Sequence, residues 1–109
     1  VQLLLRNESA QISADTKALN TRDNDILKLN AATSAKQIKQ LEKTLTRLNH
    51  QIVAMTLELQ ALSGQAFTTA SSLTPPNPAL VSTSLGNLLT VQSLSTRAGL
   101  GVGPATPSQ

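Results

Sequence analysis

The sequence predicts a mainly α chain: a long parallel coiled coil, then a proline-containing turn and a short irregular or β-like C-terminal segment. Three observations carry that expectation. Ile38, Leu41, Leu45, Leu48, Ile52, Met55, Leu59 and Leu62 alternate in steps of three and four, an uninterrupted heptad seam. Ile38, Leu45, Ile52 and Leu59 take position a, and Leu41, Leu48, Met55 and Leu62 take position d. Aromatic residues make up 1% of the 109 residues, with Phe67 the single one. A self-contained core draws much of its area from aromatics, so burial across an oligomer interface is the expectation. Finally, Thr74, Pro75, Pro76, Asn77 and Pro78 form a turn that no helix can run through.

Taken in order, residues 1–33 read as a weaker helical segment. Leu5, Ile12, Leu19 and Ile26 stand seven apart, but the second seam position falls on polar residues whichever way it is assigned. This register is offset by one residue from the strong seam near Ile26 and Leu27, which reads as a stutter in one continuous rod, the alternative being a joint between two helices at residues 30–34. Ser34 and Gln37 have the form of a capping box, which allows a helix to restart there. Residues 34–63 are the strong coiled coil, about 45 Å long at 1.5 Å per residue, and Gly64 suits a left-handed cap at its end.

Residues 64–78 read as a Ser, Thr and Pro-rich linker. In 79–102, Leu89-Thr90-Val91 and Leu100-Gly101-Val102 have the look of short strands, while Leu85, Leu88 and Leu89 equally suit one face of a short helix ending near Arg97 and Gly99. Strands are slightly favoured. Residues 103–109 read as a flexible end.

Chemistry is sparse. His50 is the one histidine and cysteine is absent, so neither a nucleophile with its base nor a zinc site can be assembled, and no catalytic, cofactor-binding or metal-ligating residue is assigned. Asp23 and Asp25 begin like a calcium loop, but Leu27 follows where a ligand is required. Gly99, Gly101 and Gly103 lack a following helix to present its amides to phosphate.

Two surface features remain. Lys36, Lys39, Lys43 and Arg47 form a basic stripe on the face opposite the seam, a candidate anion-facing surface whose simpler explanation is a solvated helix face. Val53 and Leu57 lie on that same outer face, where solvent is expected, and are candidate partner contacts. A net charge of +3 is too small to imply nucleic acid, and no apolar run is long enough for a bilayer.

Oligomer number follows from the seam and its flanks. Ile at two a positions with Leu at three d positions suits two strands. The flanking positions hold mostly uncharged residues, Glu42, Asn49 and Thr56 on one side and Thr44, Gln51 and Glu58 on the other. With few interhelical ion pairs to specify a dimer, three parallel copies are preferred, a dimer being the alternative.

Pro78 to Leu80, then Gly86-Asn87-Leu88-Leu89-Thr90-Val91-Gln92, then Ala98-Gly99-Leu100-Gly101-Val102 resemble the triple β-spiral repeats of adenovirus and reovirus fibre shafts. The reovirus type also joins such repeats to an upstream coiled coil. The resemblance implies a non-enzymatic, homotrimeric stalk or spacer of a virion or phage fibre, partnered by itself and by other structural proteins of the assembly. The rival reading is a coiled-coil adaptor entering a hetero-oligomeric helical bundle, with a partner-docking tail. Neither requires a cofactor or a small-molecule substrate.

Overall fold

Heptad spacing and one proline turn produce three helices in the computed structural model, which describes residues 1–100. Helix α1 spans Gln2–Ala31, α2 spans Ala35–Ser71 and α3 spans Pro78–Arg97. Four cross-helix hydrogen bonds and two short connections give the topology. Glu8 pairs with Asn87 and Asn20 with Arg97, so α1 and α3 run parallel. Helix α2 bonds to both, Asp15 with Thr56 and Gln60 with Ser95, and the short connections at 32–34 and 72–77 turn the chain back at each end, so α2 runs against both. The result is an up-down-up bundle, 62 Å along its longest axis.

The favoured stutter in a continuous rod is corrected: the alternative, a joint at residues 30–34, is what forms. Ala32 and Ser34 are extended, and the chain folds back on itself there, so α1 and α2 form an antiparallel hairpin and not one continuous rod. Ser34 occupies the N-cap of α2, although its side chain makes no capping hydrogen bond. Two expectations are corrected further along. Gly64 is not a cap: it sits inside α2, which continues to Ser71 because Ala66 and Ala70 extend the core-facing row beyond Leu62. The segment expected as 64–78 linker shrinks to residues 72–77.

The stretch favoured as strands is also corrected, since residues 78–97 are helix and no strand occurs among the described residues. Asn77 explains the start: its side chain accepts a hydrogen bond from the Leu80 amide at 3.3 Å, and Pro78 occupies the first turn, where its missing N–H costs nothing. The end is set by Gly99, whose φ of +80° is the left-handed conformation that glycine adopts without a Cβ penalty. Of the β-spiral-like stretch, residues 86–92 are helical, while Gly101 and Val102 lie outside the described residues, as do 103–109.

The core sits where all three helices meet. Leu19, Ile52, Leu59, Val91 and Leu94 form its buried cluster, with Ile12, Ala18, Leu48 and Ala98 packed around it. Burial of each large aliphatic side chain contributes about 1.5–3 kcal/mol. Toward the closed end of the bundle, small buried side chains (Ser63, Ala66, Ala70 and Ser84) take over, with Leu88 between them. Little interior volume remains there for large side chains to fill, which is how a chain with one aromatic residue builds a core.

Candidate functional site

Part of the heptad seam packs against this chain's own helices. Leu45, Ile52 and Leu59 are buried, Ile38 is half-buried, and the d-position residues Leu41, Leu48, Met55 and Leu62 are all half-buried. The strongest assembly signal in the sequence therefore first folds the chain. Two places in the structure carry chemistry beyond this folding: a polar seam through the bundle, and the open end of the hairpin.

The polar seam comes from the second heptad position of α1, three residues after Leu5, Ile12 and Leu19, where Glu8, Asp15 and Arg22 stand. Because Leu5 and Leu19 turn inward, Glu8 and Asp15 must turn inward with them, and both are fully buried. Asn87 Nδ2 donates to Glu8 Oε1 at 2.8 Å. Thr56 Oγ1 donates to Asp15 Oδ2 at 2.7 Å. The second oxygen of each carboxylate, Glu8 Oε2 and Asp15 Oδ1, is buried without a hydrogen-bond partner.

Burial raises the pKa of both groups above the ordinary carboxylate range. The Asn87 hydrogen bond partly offsets this at Glu8, and the Thr56 hydrogen bond with the Arg97 charge does so at Asp15. One layer on, Gln60 Nε2 donates to Ser95 Oγ at 2.9 Å, and Ser95 Oγ donates to the Val91 carbonyl at 2.8 Å.

At the end of α3 the seam closes in a clamp. Arg22 Nη1 donates to the Arg97 carbonyl at 2.9 Å, satisfying an acceptor that the helix end leaves open. Arg97 Nη2 donates to Asn20 Oδ1 and to Asp23 Oδ2, each at 3.1 Å. Hydrogen bonds from Arg22 first, then from Arg97, hold the Asp23 carboxyl below its ordinary range. This fixes where α3 stops relative to α1.

Past that clamp only α1 and α2 remain among the described residues. Ile26 occupies the same heptad position as Leu19, one repeat later, yet exposure rises from 0% at Leu19 to 40% at Ile26. Leu27 beside it is 67% exposed. On α2 the row that faces α3 runs from Gln60, which is buried, through half-buried Val53 to exposed Thr46 and Lys39. The place that α3 fills between α1 and α2 is thus open along the hairpin end.

The remaining residues singled out by sequence fall as follows. Val53 borders this opening, in a surface depression shared with Thr46, Asn49 and His50. Leu57 is 51% exposed, further along α2. Lys39, Lys43 and Arg47 border a second solvent-open depression with Glu42 and Thr46. Lys36 is exposed near the start of α2.

No group of three His, Asp or Glu side chains placed to hold a metal occurs among the described residues. None of the described helices is long and apolar enough to cross a membrane. Comparison with protein-family models, curated proteins and solved structures gives no match to this chain.

Sequence reasoning missed Glu8 and Asp15 as interior residues because it counted only apolar side chains as seam. The signal was present in their spacing, three and ten residues after Leu5.

Proposed function

We propose that this chain is a non-enzymatic structural module that enters a larger helical assembly through the open end of its α1–α2 hairpin. The reading rests on one observation: Leu19 and Ile26 share a heptad position, and exposure jumps between them where α3 ends. Two antiparallel helices cover each other on one side only, so a third helix is the natural occupant of the remaining side. Within residues 1–97 the chain supplies that helix over the closed end alone. In this reading the seam builds the subunit, and Ile26, Leu27 and Val53 mark where the subunit meets its neighbours.

At this open end the two structural readings differ in what fills it. An adaptor or scaffold subunit takes a helix from another protein, while a homo-oligomeric stalk takes one from further copies of itself. Extra apolar exposure at Leu57, outside the intramolecular core, favours the adaptor.

The test is site-specific photo-crosslinking in the native cellular setting. A photoreactive residue replaces Leu27, and a control carries it at Ser93 on the exposed side of α3. An adduct with a helical segment of another protein, specific to position 27, is the expected result. Adducts only with this chain select the stalk. A pattern identical at the two positions, or no protein adduct at all, removes the open end as a docking surface.

A further inference from the structure

We infer that the occupant of the open hairpin end is an acidic amphipathic helix, one with an apolar stripe flanked by Glu or Asp. This rests on the reading of that end as a docking surface and adds the chemistry of the partner. Between Asn24 and Arg47 stand Lys28, Lys36, Lys39, Lys43 and Arg47 against Asp25 and Glu42. That excess is the whole of the net charge of +3, so the remainder of the chain is neutral. The ion pairs among the described residues are Arg22–Asp23 and Arg97–Asp23, both at the clamp. All five cations of the hairpin end are therefore without a carboxylate partner among the described residues.

Position matters as much as count. Lys39 lies on the row of α2 that, seven and fourteen residues further on, becomes Thr46 and Val53 and then, at Gln60, meets α3. Lys43 and Arg47 border the same depression as Lys39. A helix continuing the place of α3 would rest its apolar stripe on Ile26, Leu27 and Val53, and its flank would pass Lys39 and Lys43. Carboxylates on that flank meet unpaired ammonium groups within a solvent-screened but short range. A second copy of this hairpin end would instead bring a like charge of +3 against the first. Exposed leucine and isoleucine beside the lysines, without any aromatic side chain to stack on bases, favour a protein helix over a nucleic acid.

Two synthetic peptides test the inference. Both are about 21 residues long, three heptads, with Leu at a and d. One carries Glu at e and g, the other Lys. Binding to the whole chain is read by fluorescence anisotropy at low and high salt. The Glu peptide should bind saturably and at least about tenfold more tightly than the Lys peptide, with added salt narrowing the gap. Lys39→Glu with Lys43→Glu should reverse the preference, and Leu27→Asp should abolish binding of either peptide. All three side chains are exposed, so the variants keep the wild-type helical circular dichroism.

Equal binding of the two peptides overturns the inference while leaving the docking surface in place. Binding of neither overturns it too, and the crosslinking at position 27 then says whether the docking reading falls with it. Self-association that Leu27→Asp abolishes assigns the surface to a second copy. Tighter binding of duplex DNA or phosphatidylserine vesicles than of the Glu peptide, lost in the lysine variant, assigns it to phosphate. Either result overturns the acidic helix.

Discussion

Asp15→Asn tests the energetics of the polar seam most directly. Asp15 is fully buried, receives one hydrogen bond from Thr56, and leaves Oδ1 unpartnered. Burial raises its pKa in the folded chain, as it does for Glu8. The folded state therefore holds protons that the unfolded chain has released, from about pH 4, the ordinary carboxylate value, up to the raised folded value. Across that window stability falls as pH rises, and below it the loss disappears.

The limiting slope is about 1.4 kcal/mol per pH unit for each carboxylate, and twice that where both titrate together. Asn keeps an acceptor for Thr56 and removes the charge, so the variant should lose one of the two contributions and with it up to half the slope. At pH 4 it should unfold near the wild-type temperature. At pH 7 its melting temperature should be higher than wild type, and each kcal/mol so recovered moves a domain of this size by roughly 4–8 °C. The double variant with Glu8→Gln should be nearly flat over the window. Asp23 does not confuse the result, because its lowered pKa places its contribution below the window, where stability falls as pH falls. Thermal melts followed by circular dichroism at half-unit steps of pH measure all of this. Wild-type stability that rises from pH 4 to 7, or a profile that neither substitution alters, would refute the reasoning.

Other substitutions probe the packing. Leu59→Ala, at a fully buried position where the three helices meet, should cost about 2–5 kcal/mol in urea unfolding, whereas Leu57→Ala two residues away should cost well under 1 kcal/mol. Ser95→Ala should destabilise by about 1–3 kcal/mol because it strands the buried Gln60 amide, and adding Gln60→Leu should recover most of that loss. Removing the cap with Asn77→Ala should cost about 1 kcal/mol and speed amide exchange in the first turn of α3 before it affects α1. Arg97→Ala should change global stability by about 1 kcal/mol or less, since the ion pair is largely exposed, but should raise exchange at the end of α3.

Particular residues show why some elements were legible and others were not. The a positions Leu45, Ile52 and Leu59 could be read at once, because leucine and isoleucine at heptad spacing have no soluble alternative to burial. The register offset near Ile26 and Leu27 was legible, but it favoured a stutter in a continuous rod over the joint at residues 30–34 that forms. In α3, the buried row is Ser84, Leu88, Val91 and Ser95, spaced four, three and four. With the serines discounted, only scattered aliphatics remained, and strands looked as good as a helix. A serine hydroxyl bonds back to its own helix, as Ser84 does to Val81 and Ser95 to Val91, so it enters a core without an outside partner. Glu8 and Asp15 misled in the same way, since a carboxylate is the residue type least expected inside.

By itself, the sequence determined that the chain is mainly helical, that 34–63 holds the dominant seam, and that the proline turn ends the helix before it. These depend on local periodicity and on backbone chemistry, which act within a few residues. Only the tertiary structure decided that α1 folds back on α2, burying Leu45, Ile52 and Leu59 within one chain, and that Glu8 and Asp15 lie between helices. It also decided that α3 ends at Arg97, short of the hairpin end of α1 and α2. Those outcomes depend on which elements meet across 35 to 79 positions of sequence, as in the Gln60–Ser95 and Glu8–Asn87 pairs. A hydrophobic stripe specifies that it will be covered, because the effect is non-directional. It leaves open whether the cover comes from the same chain or another, and at Ile26 and Leu27 that difference becomes visible.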